Sequence, residues 1–139
     1  MWQRVQNQRS DAIERIVSRY VDPVSGKSSS QVQQLLRALL EDAATDELAA
    51  YPEEIWHRLV TSLADFASQR DPGQPKIRVF NPEQIEGSWA SENSVLELIC
   101  DDMQFLVDSV LGALNDMELS IHMVLHPVVQ VDRDASGKL

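Results

Sequence analysis

Cysteine is nearly missing from this sequence: Cys100 is alone among 139 residues, so no disulfide can form within the chain, and a reducing compartment is favoured. Basic residues are scarce as well. Twelve lysines and arginines against 22 acids leave a formal charge of −10, which repels phosphate backbones and anionic lipid and so argues against nucleic acid and membrane as partners. No apolar run approaches the ~20 residues that cross a bilayer, and the opening MWQRVQNQRSD has no apolar stretch of the kind that directs secretion. A cytoplasmic protein is expected. The five glycines, at 26, 73, 87, 112 and 137, are too scattered for a dinucleotide or phosphate loop, and no serine or cysteine sits in a nucleophile-elbow context.

What is present is 43% apolar composition, enough for one core with a helical appendage. The apolar period of the first half is helical. Ile13, Ile16, Val17 and Tyr20 follow a Ser10-Asp11 start signal and end at DPVSGKSSS, which reads as a flexible loop. Val32, Leu35, Leu36, Leu39 and Leu40 repeat the pattern. A longer helix is predicted from Pro52, where a missing N–H is harmless, with Ile55, Trp56, Leu59, Val60, Leu63 and Phe66 on its buried face and His57 on its solvated side. It stops before DPGQP at residues 71–75.

Beyond Pro75 the texture turns to α/β. KIRVF is β-branched and alternating, NPEQIEGSWASEN is a turn-rich connection, and SVLELIC again has strand character. From Val95 the expected order is a strand to Cys100, a helix from Met103 to about Met117, and a strand from Ser120 to about Val131, together one βαβ unit. At 100° per residue, Met103, Leu106, Val107, Val110, Leu111, Leu114 and Met117 share a stripe about 140° wide, with Asp108 on the wet side and Phe105 almost opposite the stripe. The last strand alternates, with Ile121, Met123, Leu125, Val129 and Val131 on the face the helix should cover. Cover on both faces of the sheet is expected, from the N-terminal helices or from a second copy. The closing DRDASGKL reads as a hairpin turn with Gly137 in a left-handed conformation and Lys138-Leu139 starting back, so the sheet is expected to be truncated there.

The chemistry legible at this point is thin. His122 and His126 lie about 13 Å apart along a strand and cannot share one zinc, so no metal is expected. Cys100 reads as a small apolar side chain placed inside. Asp101 or Asp102 is placed to cap the following helix by accepting from Gln104 or Phe105 N–H. The remaining reading of this pair is capture of a ligand at the helix N-terminus, where two acids suit an ammonium group and hence an amino acid.

One family resemblance enters at these residues. VLELICDDMQFLVDSVLGALNDMELSIHMVLHPVVQVDRDASGKL, preceded by YPEEIWHRLVTSLADFASQR and KIRVFNPEQIEGSWAS, closely resembles the amino-terminal part of the large bacterial NAD-specific glutamate dehydrogenases over about residues 45–139. The combination DDM.FLVDSV…HPV..V.RD..G.L carries it. The resemblance implies a homo-oligomeric oxidoreductase that converts glutamate, NAD and water to 2-oxoglutarate, ammonia and NADH. Its catalytic domain and NAD site lie outside this chain, so no catalytic, cofactor or metal residue is expected here. The implied partners are the remainder of the dehydrogenase, other subunits and an amino-acid effector.

The same region resembles ACT modules, small βαββαβ domains that bind amino acids or join subunits. The implied fold is α+β, with N-terminal helices over 1–74 and an incomplete ACT-like, ferredoxin-like βαβ unit over 75–139. The implied effector or interdomain loop is Asp101, Asp102, Met103, Gln104 and Phe105. Phe105 stands near the place of the glycine usual in such loops, and Gln104 replaces a proline common in the dehydrogenases; a bulky residue there obstructs close backbone approach and fits an interdomain contact. The alternative is a free-standing ACT-like sensor that binds amino acids through this loop.

Overall fold

The structure is a computed structural model that describes residues 1–84 and 89–139. Its elements are α1 (Trp2–Ser18), α2 (Ser30–Asp42), α3 (Thr45–Ala50), α4 (Glu53–Ala67), β1 (Lys76–Phe80), a 3-10 turn at Pro82–Gln84, β2 (Val95–Ile99) and α5 (Leu106–Asp116). The mixed α+β class is as expected. Part of the turn-rich connection, residues 85–88, lies outside the described residues.

The apolar stripes of the first half meet one another. Ile13, Ile16, Val17 and Tyr20 from α1 and its end, Leu36, Leu39 and Leu40 from α2, and Trp56 and Val60 from α4 form the core with Ala43 and Leu48. Helix α1 begins at Trp2, well before the Ser10 start signal. The extra turns carry Arg9, whose guanidinium donates to Leu40 O, Glu41 O and Ala43 O at 3.1, 3.0 and 2.6 Å, satisfying carbonyls left open where α2 ends. Ser29 caps α2 by accepting from Val32 N–H. The DPVSGK loop is closed rather than loose: the Asp22 carboxylate accepts from Val24 and Ser25 N–H, and Gly26 turns the chain at φ 71°.

Two further departures from expectation lie in this half. Helix α3 was not anticipated; its six residues are too few to show a period, and Glu47 holds its start by accepting from Ala44 N–H at 2.9 Å. His57 is buried, not solvated. Its Nε2 lies 2.8 Å from Ile16 O, and its ring meets Tyr20 edge-on at 5.3 Å, so the polar atom is matched by α1 rather than by water.

The sheet is antiparallel, with Lys76 opposite Ile99, Arg78 opposite Glu97 and Phe80 opposite Val95. This corrects the expected βαβ arrangement. Among the described residues no strand forms between 120 and 131: alternation makes a strand only where a neighbour takes up the backbone N–H and C=O groups, and β2 pairs with KIRVF instead. The alternation of 120–131 marks the inward side chains only in part, since Ile121, Val129 and Val131, expected on the covered face, are exposed. Met123 and Leu125 pack against the helical core while Val124 and Val128 stay exposed, and the His126 N–H donates to the Asp42 carboxylate. Their cover is the helical core rather than α5.

The sheet also turns an unexpected face toward the helices. Arg78 Nη2 donates to Ser62 O and Oγ of α4 at 3.0 and 2.8 Å, and Lys76 Nζ donates to Phe66 O and Gln69 O at 2.6 and 2.8 Å. Carbonyls at a helix C-terminus draw cations, and both cations also lie 4.4 Å from the Phe66 ring centre. By the period of two, Ile77 and Val79 then point away, and they are 62% and 66% exposed. Cover on both faces is thus not what this chain supplies.

Candidate functional site

The candidate loop runs from Cys100 to Phe105, between β2 and α5. Its residues Asp101, Asp102, Met103, Gln104 and Phe105 are all exposed, and Cys100, expected inside, is half-buried. The expected cap is absent. Helix α5 starts at Leu106, later than the predicted Met103, and its N-cap is Phe105 with no side-chain hydrogen bond. A capping side chain reaches N–H groups about two or three residues ahead, and Asp101 and Asp102 lie too far upstream to reach Val107 or Asp108. Asp101 is instead paired with Arg70, its Oδ1 accepting from Nη2 at 2.7 Å.

Phe105 adopts φ 61° and ψ 13°, a left-handed conformation rare for a bulky residue, and its ring is 71% exposed. The stripe predicted for α5 has the right residues: Leu106, Val107, Val110, Leu111 and Leu114 are half-buried, Asp108 is exposed, and Met103 and Met117 fall outside the helix and are exposed. Replacing Phe105 by glycine should raise unfolding free energy by roughly 0.5–1 kcal/mol, the left-handed penalty of about 1–2 kcal/mol being partly offset by the greater chain entropy of glycine. Urea denaturation of both proteins checks this. A loss of stability would mean that the ring makes packing contacts that outweigh its backbone strain.

Sequence reasoning missed a second polar cluster beside the loop. Gly137 O accepts from both the Arg70 backbone N–H and Arg133 Nη1, each at 3.0 Å, so two arginines distant in sequence converge on one carbonyl. The turn that brings them together is well anchored. Asp134 Oδ1 accepts from Ser136 N–H, Ser136 Oγ–H and Lys138 N–H, which holds its carboxyl below the usual range. Gly137 sits at φ 88°, and a Cβ there would fall 1.8 Å from Arg70 O, so the close approach admits only glycine. Leu139 N–H donates to Ser68 O, continuing the pairing against the end of α4. The turn itself was legible; that its return leg pairs with residues after α4 was not.

Among the described residues no group of three or more His, Cys, Asp or Glu is placed to hold a metal, and no helix is long and apolar enough to cross a membrane. Residues 35–139 match the family model described as the glutamate dehydrogenase ACT1 domain. The chain is 35% identical over 100 residues to the NAD-specific glutamate dehydrogenase of Halomonas elongata, covering 72% of this chain and 6% of that protein. It is 41% identical over 69 residues to the NAD-specific glutamate dehydrogenase of Pseudomonas aeruginosa, covering 50% of this chain and 4% of that protein. The chain therefore spans a small part of these relatives. No solved structure matches it.

Proposed function

Since the chain belongs to the glutamate dehydrogenase ACT1-domain family, we propose that it is a non-catalytic N-terminal regulatory and oligomerisation region of a large, cytoplasmic NAD-dependent glutamate dehydrogenase. The parent enzyme would convert glutamate to 2-oxoglutarate and ammonia, with NAD bound elsewhere. Residues 1–74 act as a helical support and residues 75–139 as an ACT-like unit, tied to the support by Met123 and Leu125. The family match over three quarters of the chain carries this reading. It is supported by the outward Ile77 and Val79 and by the exposed Phe105, apolar side chains suited to cover by other subunits or by the remainder of the enzyme.

The test is deletion of the matching segment from the full-length Halomonas elongata relative. Light scattering should show a lower assembly mass, and the response of turnover to amino-acid effectors should be lost. The isolated chain should form no NADH from glutamate and NAD. Turnover by the isolated chain, or a deletion that changes neither mass nor effector response, would sink the proposal.

A further inference from the structure

We propose that the first turns of α1 are a docking arm for a second copy of this chain, each copy laying Trp2 and Val5 into a cleft beside the other's α1 and bringing Arg4 to the other's Glu41. At 100° per residue, Trp2, Val5, Arg9, Ile13 and Ile16 fall within about 80° of one another and so share one face of α1. That face is treated differently along its length. From Arg9 onward it is covered: Ile13 and Ile16 are buried, and Arg9 is tied to the carbonyls where α2 ends. Before Arg9 the α2 helix has run out, and Val5 and Trp2 are 45% and 75% exposed. A helix anchored in the core thus carries, past the edge of that core, a tryptophan, one of the side chains enriched at the energetic centres of interfaces.

The receiving surface lies at the same end of the molecule. An open cleft of about 230 Å³ between α1 and the end of α2 is lined by Gln6, Arg9, Ser10, Ile13, Glu14 and Glu41. Pockets for drug-sized ligands hold roughly 300–1,000 Å³, so this one suits a side chain better than a metabolite. Charge selects the chain that supplies it. Arg4 is exposed, flanks Val5 about 100° round the helix, and forms no ion pair among the described residues. Glu41 is exposed at the cleft and is likewise without an ion pair among them. Arg4 does not serve the Glu41 of its own chain, because Arg9, about 140° away round the helix, is the arginine that meets the end of α2. The first ten residues carry no acid, on a chain of formal charge −10, so the arm of a second copy approaches these acids without repulsion. Arm and cleft adjoin on one helix. A two-fold axis beside α1 therefore satisfies both contacts at once and closes the assembly at two copies.

Sedimentation equilibrium of the 139-residue chain over a concentration series should show monomer and dimer with no larger species. Trp2→Ala should raise the dissociation constant roughly thirtyfold, the scale of a lost aromatic hot spot, at an unchanged urea midpoint because the side chain is exposed. Arg4→Glu and Glu41→Arg should each weaken the dimer, and the double variant should recover affinity as the pair re-forms with its signs exchanged. Both changes suit their helix ends, an acid near the start of α1 and a base near the end of α2, so weaker association is not the result of a damaged fold. The proposal is overturned if the chain stays monomeric at every concentration, if the dimer ignores Trp2→Ala, or if the double variant is no tighter than either single one. The arm gives a surface to the oligomerisation proposed above and rests on that reading only for its meaning in the parent enzyme. A dimer broken by Ile77→Asp and not by Trp2→Ala would overturn the arm and leave that reading standing. A dimer that obeys the arm variants, with assembly mass and effector response unchanged after segment deletion, would overturn that reading and leave the arm standing.

Discussion

Alanine at Trp56 should remove about 3–5 kcal/mol of unfolding free energy, the usual cost of deleting a large buried aromatic. Trp56 is 1% exposed, lies among the fully buried Leu36, Leu40 and Val60, and meets Tyr51 edge-on at 5.8 Å. Its Nε1–H, however, is buried without a hydrogen-bond partner among the described residues, a standing cost of about 1–3 kcal/mol. Phenylalanine removes that orphan donor along with part of the volume, so the two terms oppose, and Trp56→Phe should cost less than about 1.5 kcal/mol. The urea midpoint at unchanged slope measures both. If phenylalanine proves as costly as alanine, the indole N–H has a partner in solution.

The helical half was legible because its information is local. Residues spaced by three and four at Ile13, Ile16 and Val17, at Leu36, Leu39 and Leu40, and at Trp56 and Val60 each mark one helix face, and those faces make the core. His57 was misread by the same logic. A histidine beside an apolar stripe is assigned to water unless a carbonyl such as Ile16 O is known to wait for it, and that carbonyl belongs to another helix. The second half was half legible for the reason that strands pair non-locally. Alternation marked Met123 and Leu125 as inward but could not say that the cover is the helical core. In the candidate loop, Phe105 was singled out because it fell off the α5 stripe. Its left-handed backbone and the late start of α5 were hidden, since Asp101 and Asp102 looked like ordinary caps. Arg70 and Arg133 carried no signal in sequence. Only the Gly137 turn joins them.

These misreadings share a cause with consequences for function. Charged side chains, Lys76 and Arg78 on β1 and Glu97 on β2, are spent inside this chain, while apolar ones, Ile77, Val79 and Phe105, are left outside. For a chain of formal charge −10, drawing cations inward to helix carbonyls and to Glu97 leaves a surface that is more acidic still around apolar islands. Such a surface discourages indiscriminate association.

The Arg78–Glu97 pair on which that inverted sheet depends gives the other large expected effect. Arg78 Nη2 lies 3.0 and 3.2 Å from the two Glu97 oxygens, with Glu97 buried and Arg78 only partly so. Methionine at 78 leaves a buried carboxylate without its counter-charge and should cost about 3 kcal/mol near neutral pH, the low end of the ~3–5 kcal/mol typical of broken buried pairs because Arg78 retains some solvent. The pH dependence separates this from lost packing. Burial pushes the Glu97 carboxyl above its ordinary value of 4.5, and Arg78 only partly opposes it. The folded state therefore holds that proton more tightly than the unfolded chain. Its contribution is fully present below the ordinary value and is lost as pH rises through the raised one. Without Arg78 the carboxyl is pushed further up, so the penalty of Arg78→Met should shrink as the pH is lowered toward the ordinary carboxylate range. Glu97→Gln should flatten that part of the profile. The double change Arg78→Met with Glu97→Leu should recover stability to within about 1 kcal/mol of the parent, since well-packed apolar replacements of buried ion pairs are often neutral or better. Urea denaturation across the acid range checks all three, and a penalty for Arg78→Met that does not vary with pH would show that the arginine acts through Ser62 and Phe66 instead of through Glu97.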